Sequence, residues 1–394
     1  MEERPSRILP VIMFSQFAGT SLWFAGNAVL GNLQAELNIG PGSLGYVTSS
    51  VQLGFIIGTL VFAFFVISDR YSPRKVFFVC SVLGALSNLG ILIPAEGLPL
   101  LLTFRFMTGF FLAGIYPVGM KIAAGWFKKD IGEALGYLVG ALVLGTAFPF
   151  LLKATGGAFD WQSVVLSVSA VSVSGGVLML VLVPDGPYLS TGTKFNPKAI
   201  PVIFGSKGLR SAAFGYFGHM WELYTLWAFV PVLLSAYGVN NGEAVNVPLW
   251  SFAVIGAGGI GCILGGFISK GRGSAPMAFY QLLASGLCCV LSPLVFFAPA
   301  EIFLGFFVFW GIVVAGDSPQ FSALVAVKAP REYVGSALTI VTSIGFFITI
   351  ISIQSVGYLA EFVSAEYLML FLVPGPVLGL AALWGSVRHE KNWQ

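Results

Sequence analysis

His219 and Glu222 stand three residues apart in "GHMWELYTLW" (218–227), a run otherwise made of Gly, Met, Trp, Leu, Tyr and Thr. Three-residue spacing puts both side chains on one face of a helix. An imidazole and a carboxylate so placed can take up, hold and release a proton, with affinities that depend on hydration and on nearby charge. Asp317, in "AGDSPQF", supplies a second carboxylate, and Gln320 follows it by one turn. Arg105, in "RFMTGF", and Lys121 complete the ionisable residues that fall inside apolar segments. Arg105 shares a face with Thr108, Leu112 and Tyr116, where it could grip an anionic solute or hold a buried ion pair. Lys121 lies near a segment end, where its ammonium can reach the interface as a structural group. Gln16, Thr20, Trp23 and Asn27 recur at helical spacing, an uncharged stripe that either binds a small polar solute or packs helices together.

These residues need apolar helices to position them. The chain of 394 residues is 57% hydrophobic and only 9% charged, with a mean hydropathy of +0.89. Soluble domains carry about 25% charged residues. Apolar runs of about 20 residues, each enough to cross a hydrocarbon core, recur from end to end. The 49 glycines suit close helix approach within a membrane. The composition therefore implies an all-α integral membrane protein in contact with lipid. The N-terminus lacks a small-residue cleavage site and runs straight into the first apolar segment, which argues against a cleaved leader. Cys80, Cys262, Cys288 and Cys289 sit in or beside apolar runs with no metal-ligand spacing, and read as packing residues.

About twelve spans are expected, at 8–33, 43–67, 75–93, 98–123, 132–153, 161–183, 210–237, 247–269, 275–297, 301–325, 334–358 and 366–387. Basic residues mark alternate loops: Arg4 and Arg7; Arg70, Arg74 and Lys75; Lys128 and Lys129; Lys194, Lys198, Lys207 and Arg210; Lys270 and Arg272; Lys328 and Arg331; Arg388 and Lys391. Glu36, Glu96, Asp160, Glu243, Glu301, Glu361 and Glu366 occupy the others. The positive-inside rule then puts both termini and the basic loops in the cytoplasm. Counting about 1.5 Å per residue from the nearest basic loop places His219, Glu222 and Asp317 roughly 14, 18 and 16 Å deep, near mid-membrane.

The second half repeats the first at an offset near 200. "FSQF" (14–17) faces "FGYF" (214–217), "IS" (67–68) faces "IS" (268–269), "AGIYP" (113–117) faces "AGDSP" (315–319), and "GEAL" (132–135) faces "GSAL" (335–338). Four matches in order indicate a duplicated six-helix unit. The expected domains are 1–184 and 209–394, joined by a cytoplasmic linker at 185–208 that is rich in Pro, Gly and Lys.

The loop "SDRYSPRKV" (68–76) resembles the signature loop of the major facilitator superfamily, matching at Asp69, Arg70, Tyr71, Arg74 and Lys75. Phe65 stands where that pattern has its first glycine, and Ser72 and Pro73 interrupt it. "RFMTGF" (105–110) resembles the family's Arg-x-x-x-Gly pattern for the fourth span. The resemblance implies two pseudo-symmetric six-helix bundles working by alternating access, with spans one, four, seven and ten lining a central cavity. It implies gating for Asp69, Arg70 and Arg74. The texture of "AGIYPVGMKIAAGWF" and "AGDSPQFSALV" is similar to permeases grouped with nitrate/nitrite carriers. The arginines that grip nitrate on spans two and eight of those carriers are missing here.

A function follows as an expectation: secondary active, proton-coupled transport of a small polar or anionic solute across a prokaryotic cytoplasmic membrane. His219, Glu222 and Asp317 would couple protons while facing a wet cavity. Arg105, Gln16, Thr20, Trp23, Asn27, Tyr116 and Gln320 would contact the solute. Proton-antiport export of amphipathic compounds is the rival within transport, and a non-transporting sensor or scaffold the rival outside it. No ATP-binding Gly-rich loop and no metal motif occurs, so the expectation is no enzyme, no cofactor, no nucleic-acid partner and a monomer.

Overall fold

The computed structural model describes residues 5–93, 97–127, 131–155, 160–189 and 195–391. The loop charges Arg4, Glu96, Lys128, Lys129 and Lys194, and the side chains of Arg388 and Lys391, lie outside the described residues. All regular structure among the described residues is helical. Among the described residues eleven helices are long and apolar enough to cross a membrane. They include Ser43–Phe64, Pro73–Leu92, Gly132–Ala154 and Trp161–Leu182 in the first half, and Val247–Arg272, Ser274–Val295, Arg331–Leu359 and Ala365–Val387 in the second. The chain divides into two compact units, Met1–Lys194 and Phe195–Gln394. A short helix, Ala199–Gly205, opens the second unit.

Three spans expected to be continuous are broken. The first consists of Ile8–Thr20, Ala25–Ala28 and Leu30–Leu37. The fourth runs Leu98–Leu112 and resumes at Tyr116–Trp126. The tenth runs Ala300–Gly316 and resumes at Ser318–Lys328. The last two breaks fall on "AGIYP" and "AGDSP", with Pro117 and Pro319 in the first turn of each resumed segment. Proline lacks the N–H that would bond four residues back and its ring crowds that carbonyl, so both helices part there. By contrast the seventh span, Lys207–Asn241, is unbroken over 35 residues despite Pro231.

Glycine contacts show the duplication more fully than the short sequence matches. A methyl on Gly109 would overlap the carbonyl oxygen of Val51, and one on Gly311 would overlap that of Val254. Gly58 meets the carbonyl of Phe110, and Gly261 meets that of Ile312. In each unit the second span thus touches the fourth backbone to backbone, a closeness that only a missing side chain permits. The sixth span starts at Asp160, whose carboxylate accepts from the Ser163 N–H at 2.7 Å. Hydrogen bonds from Ser163 hold this exposed carboxyl below the usual range.

Candidate functional site

The three titratable groups expected at mid-membrane meet inside the second unit. His219 Nδ1 lies 2.8 Å from Asp317 Oδ1, and the two side chains are each 1% exposed. Asp317 occupies the break in the tenth span, so the pair ties the continuous seventh span to a joint in its neighbour. Tyr216 and Phe321 flank the imidazole at 5.9 and 5.7 Å between ring centroids. Glu222 turns to the ninth and tenth spans. Its Oε1 accepts from the Ser285 hydroxyl, from Trp310 Nε1 at 2.8 Å and from the Cys289 thiol at 3.5 Å. Among the described residues Glu222 Oε2, Asp317 Oδ2 and His219 Nε2 have no hydrogen-bond partner. Cys262 donates to the carbonyl of Ala315 at 3.3 Å, replacing the amide that Pro319 lacks.

In this structure the seventh span shows dry packing where a wet lining was expected. His219 and Glu222 are buried among side chains of their own unit. The small residues beside them on the seventh span make helix packing. Ser211 bonds Ala382 and Ser386, Gly218 abuts Gly375 and Gly379, and Thr225 donates to Ser352. Small residues serve either purpose, and here the twelfth and eleventh spans fill the space. Gln320 is buried one turn beyond Asp317.

In the first unit Arg105 is fully buried and holds backbone carbonyls where a grip on an anionic solute or a buried ion pair was expected. The guanidinium donates to Leu22 O through both terminal nitrogens at 3.3 Å, to Trp23 O at 2.5 Å and to Asn88 Oδ1 at 3.2 Å. The break after Thr20 turns those carbonyls out of the helical ladder, and the rigid fork of Arg105 collects them. Among the described residues no carboxylate pairs with it. Thr20 directs its hydroxyl at the carbonyls of Gln16, at 2.8 Å, and Leu142, at 3.3 Å, and so joins the first span to the fifth.

The remaining stripe stays together with an addition. Asn27 Nδ2 donates to Thr48 at 2.7 Å. Trp23 packs on Phe55 at 4.9 Å, and Phe55 stacks on Tyr116 at 6.3 Å. Gln16 and Gln52 are both fully buried, and neither amide has a partner for its nitrogen or its oxygen among the described residues. An unmet buried polar group costs about 1–3 kcal/mol, so two unpaired amides are a feature to be explained. Gln52 was not singled out from sequence, although Thr48 and Phe55 share its helix face.

In the signature loop Asp69 pairs with Lys121 at 2.5 Å, and Lys121 also donates to Ser68 O at 2.8 Å. The loop thereby fastens to the cytoplasmic-side end of the fourth span expected from the basic loops. Arg74 donates to Leu180 O at 3.3 Å on the sixth span, whereas Arg70 is exposed. Val66, beside the position of the missing glycine, adopts φ +55°. No group of three or more His, Cys, Asp or Glu among the described residues could hold a metal.

The sequence model of the Major Facilitator Superfamily matches residues 12–353. No curated protein matches the chain. Among solved structures, the MFS proton:xylose symporter XylE, bound to 6-bromo-6-deoxy-D-glucose, is similar over 98% of this chain and 97% of that one, with a TM-score of 0.74 and 14% identity. Similarity at that identity is one of fold. With that fold shared along the chain, and the family's sequence pattern running from the first span into the eleventh, the protein belongs to the Major Facilitator Superfamily.

Proposed function

We propose that this secondary transporter moves a small polar or anionic solute across the cytoplasmic membrane of a prokaryote by alternating access, with protonation of the Glu222, His219 and Asp317 cluster driving the cycle. One observation carries the reading: two carboxylates and one imidazole are buried together in one unit, and among the described residues no Lys or Arg is paired with them. A buried group whose charge is unmatched is stable only if its proton occupancy follows its surroundings. Such a cluster changes charge whenever the spans around it separate and admit water, which links proton binding to conformation. The unmatched oxygens Oε2 of Glu222 and Oδ2 of Asp317 offer places for that proton.

The test uses proteoliposomes and whichever solute raises the melting temperature of the purified protein. Glu222→Gln keeps the shape of the side chain and removes its titration. It should abolish accumulation driven by a pH gradient while counterflow exchange continues. Accumulation at the wild-type level in that variant would remove Glu222 from the coupling.

A further inference from the structure

The orphan amides of the first unit define a chemistry. Gln16 lies on the first span with its Oε1 against Gly119, where any β-carbon would overlap it. One turn from Gly119 stands Tyr116, whose ring stacks on Phe55. One turn from Phe55 stands Gln52, on the same face of the second span. Two buried carboxamides thus flank a wall formed by Tyr116, Phe55 and Trp23. All four amide atoms, two nitrogens and two oxygens, are without partners among the described residues.

An amide presents a donor pair and an acceptor side by side. An anion supplies only acceptors and would leave both Oε1 atoms unmet. An organic ammonium supplies only donors or, when quaternary as in choline, none at its nitrogen, and the single hydroxyl of choline is too few to satisfy both amides. Hydroxyl groups both donate and accept, so a solute with several of them can satisfy both amides while its C–H faces rest on the aromatic wall. The cations of this unit that could favour an anion are otherwise engaged: Arg105 by carbonyls, Lys121 by Asp69 and Lys153 by Asn32 at 2.8 Å.

We infer that Gln16 and Gln52 form a subsite for an uncharged, polyhydroxylated solute, which narrows the polar or anionic solute of the proposed transport reading and rests on it. Gly119 is a positioning residue that lets the Gln16 amide approach the fourth span.

The experiment measures melting of the purified full-length protein with myo-inositol, D-ribose, sodium nitrate, sodium succinate and choline chloride as probes. At least one of the two polyols should raise the melting temperature, and the three ions should not. Gln16→Leu and Gln52→Leu should each melt higher than wild type without ligand, because an unmet amide is removed, and should lose the polyol shift. Gly119→Ala should weaken polyol affinity at least tenfold by displacing Gln16, a second route should either leucine variant fail to fold. A shift produced by nitrate, succinate or choline alone, or no shift from either polyol, overturns the inference. So does a leucine variant that melts lower than wild type yet still responds to polyol. Binding here requires no gradient. A protein that binds polyol but accumulates nothing defeats only the coupling, and one driven by protons that binds only anions defeats only the subsite.

Discussion

Arg105→Met tests the assignment of that arginine to the broken first span. The guanidinium makes four hydrogen bonds to three acceptors, Leu22 O, Trp23 O and Asn88 Oδ1. Methionine roughly fills the space and leaves all three unmet in a fully buried site. At about 1–3 kcal/mol per stranded acceptor, and allowing for partial relaxation, the loss of stability should be about 3–6 kcal/mol. Arg105→Lys should lose about half as much, since one ammonium reaches one or two of the three acceptors. Melting of purified protein in detergent, followed by tryptophan fluorescence, reads the loss, and solute affinity is measured on the protein that remains folded. The expected result is a large fall in melting temperature with affinity retained in the lysine variant. A methionine variant that melts with wild type but no longer binds solute would refute the assignment and return Arg105 to the substrate.

Three further outcomes follow from named contacts. Glu222→Leu combined with Ser285→Gly takes both acceptors from the buried Trp310 Nε1 and should cost about 1–3 kcal/mol of stability while losing pH-driven uptake; a double variant that still accumulates solute on a pH gradient would remove Glu222 from the coupling. Val66→Gly should stabilise the protein by about 0.5–1 kcal/mol, the left-handed strain of a β-branched residue less the added backbone entropy of glycine, read by the same melting assay. Asp160, whose folded carboxyl is held below its ordinary value, contributes stability that is fully present above the unfolded value and is lost as pH falls through the folded one. Asp160→Asn should therefore lessen the acid-side loss seen in melting against pH.

Much of the architecture was legible because membrane spans are written in composition, and the depth of a charge follows from counting residues along a helix. The "AGIYP" and "AGDSP" pair was visible as a repeat, yet its second meaning, a helix break just ahead of a proline four residues after each alanine, depends on where proline falls in a helix and was available from sequence. The break after Thr20 carries no proline, and it is understood only once Arg105 is seen holding Leu22 and Trp23. A charge inside a span is readable; its partner, contributed by a helix about eighty residues away, is not. Small residues such as Ser211, Gly215 and Gly218 are ambiguous in sequence for a physical reason, since small side chains serve water and a neighbouring helix equally well. Gln52 shows the opposite case: a single amide among Val51, Leu53 and Phe55 makes little impression on periodicity, and its importance lies in the missing partners.

The seventh span holds His219 and Glu222 on 35 residues of uninterrupted helix, while Asp317 sits where the tenth span comes apart. One end of the His219–Asp317 contact is therefore anchored to a strut and the other to an elbow. Loss of that contact would leave the strut straight and free the elbow to flex. Cys262 holds the Ala315 carbonyl at that same elbow, so the joint is tied to the eighth span as well as to the seventh.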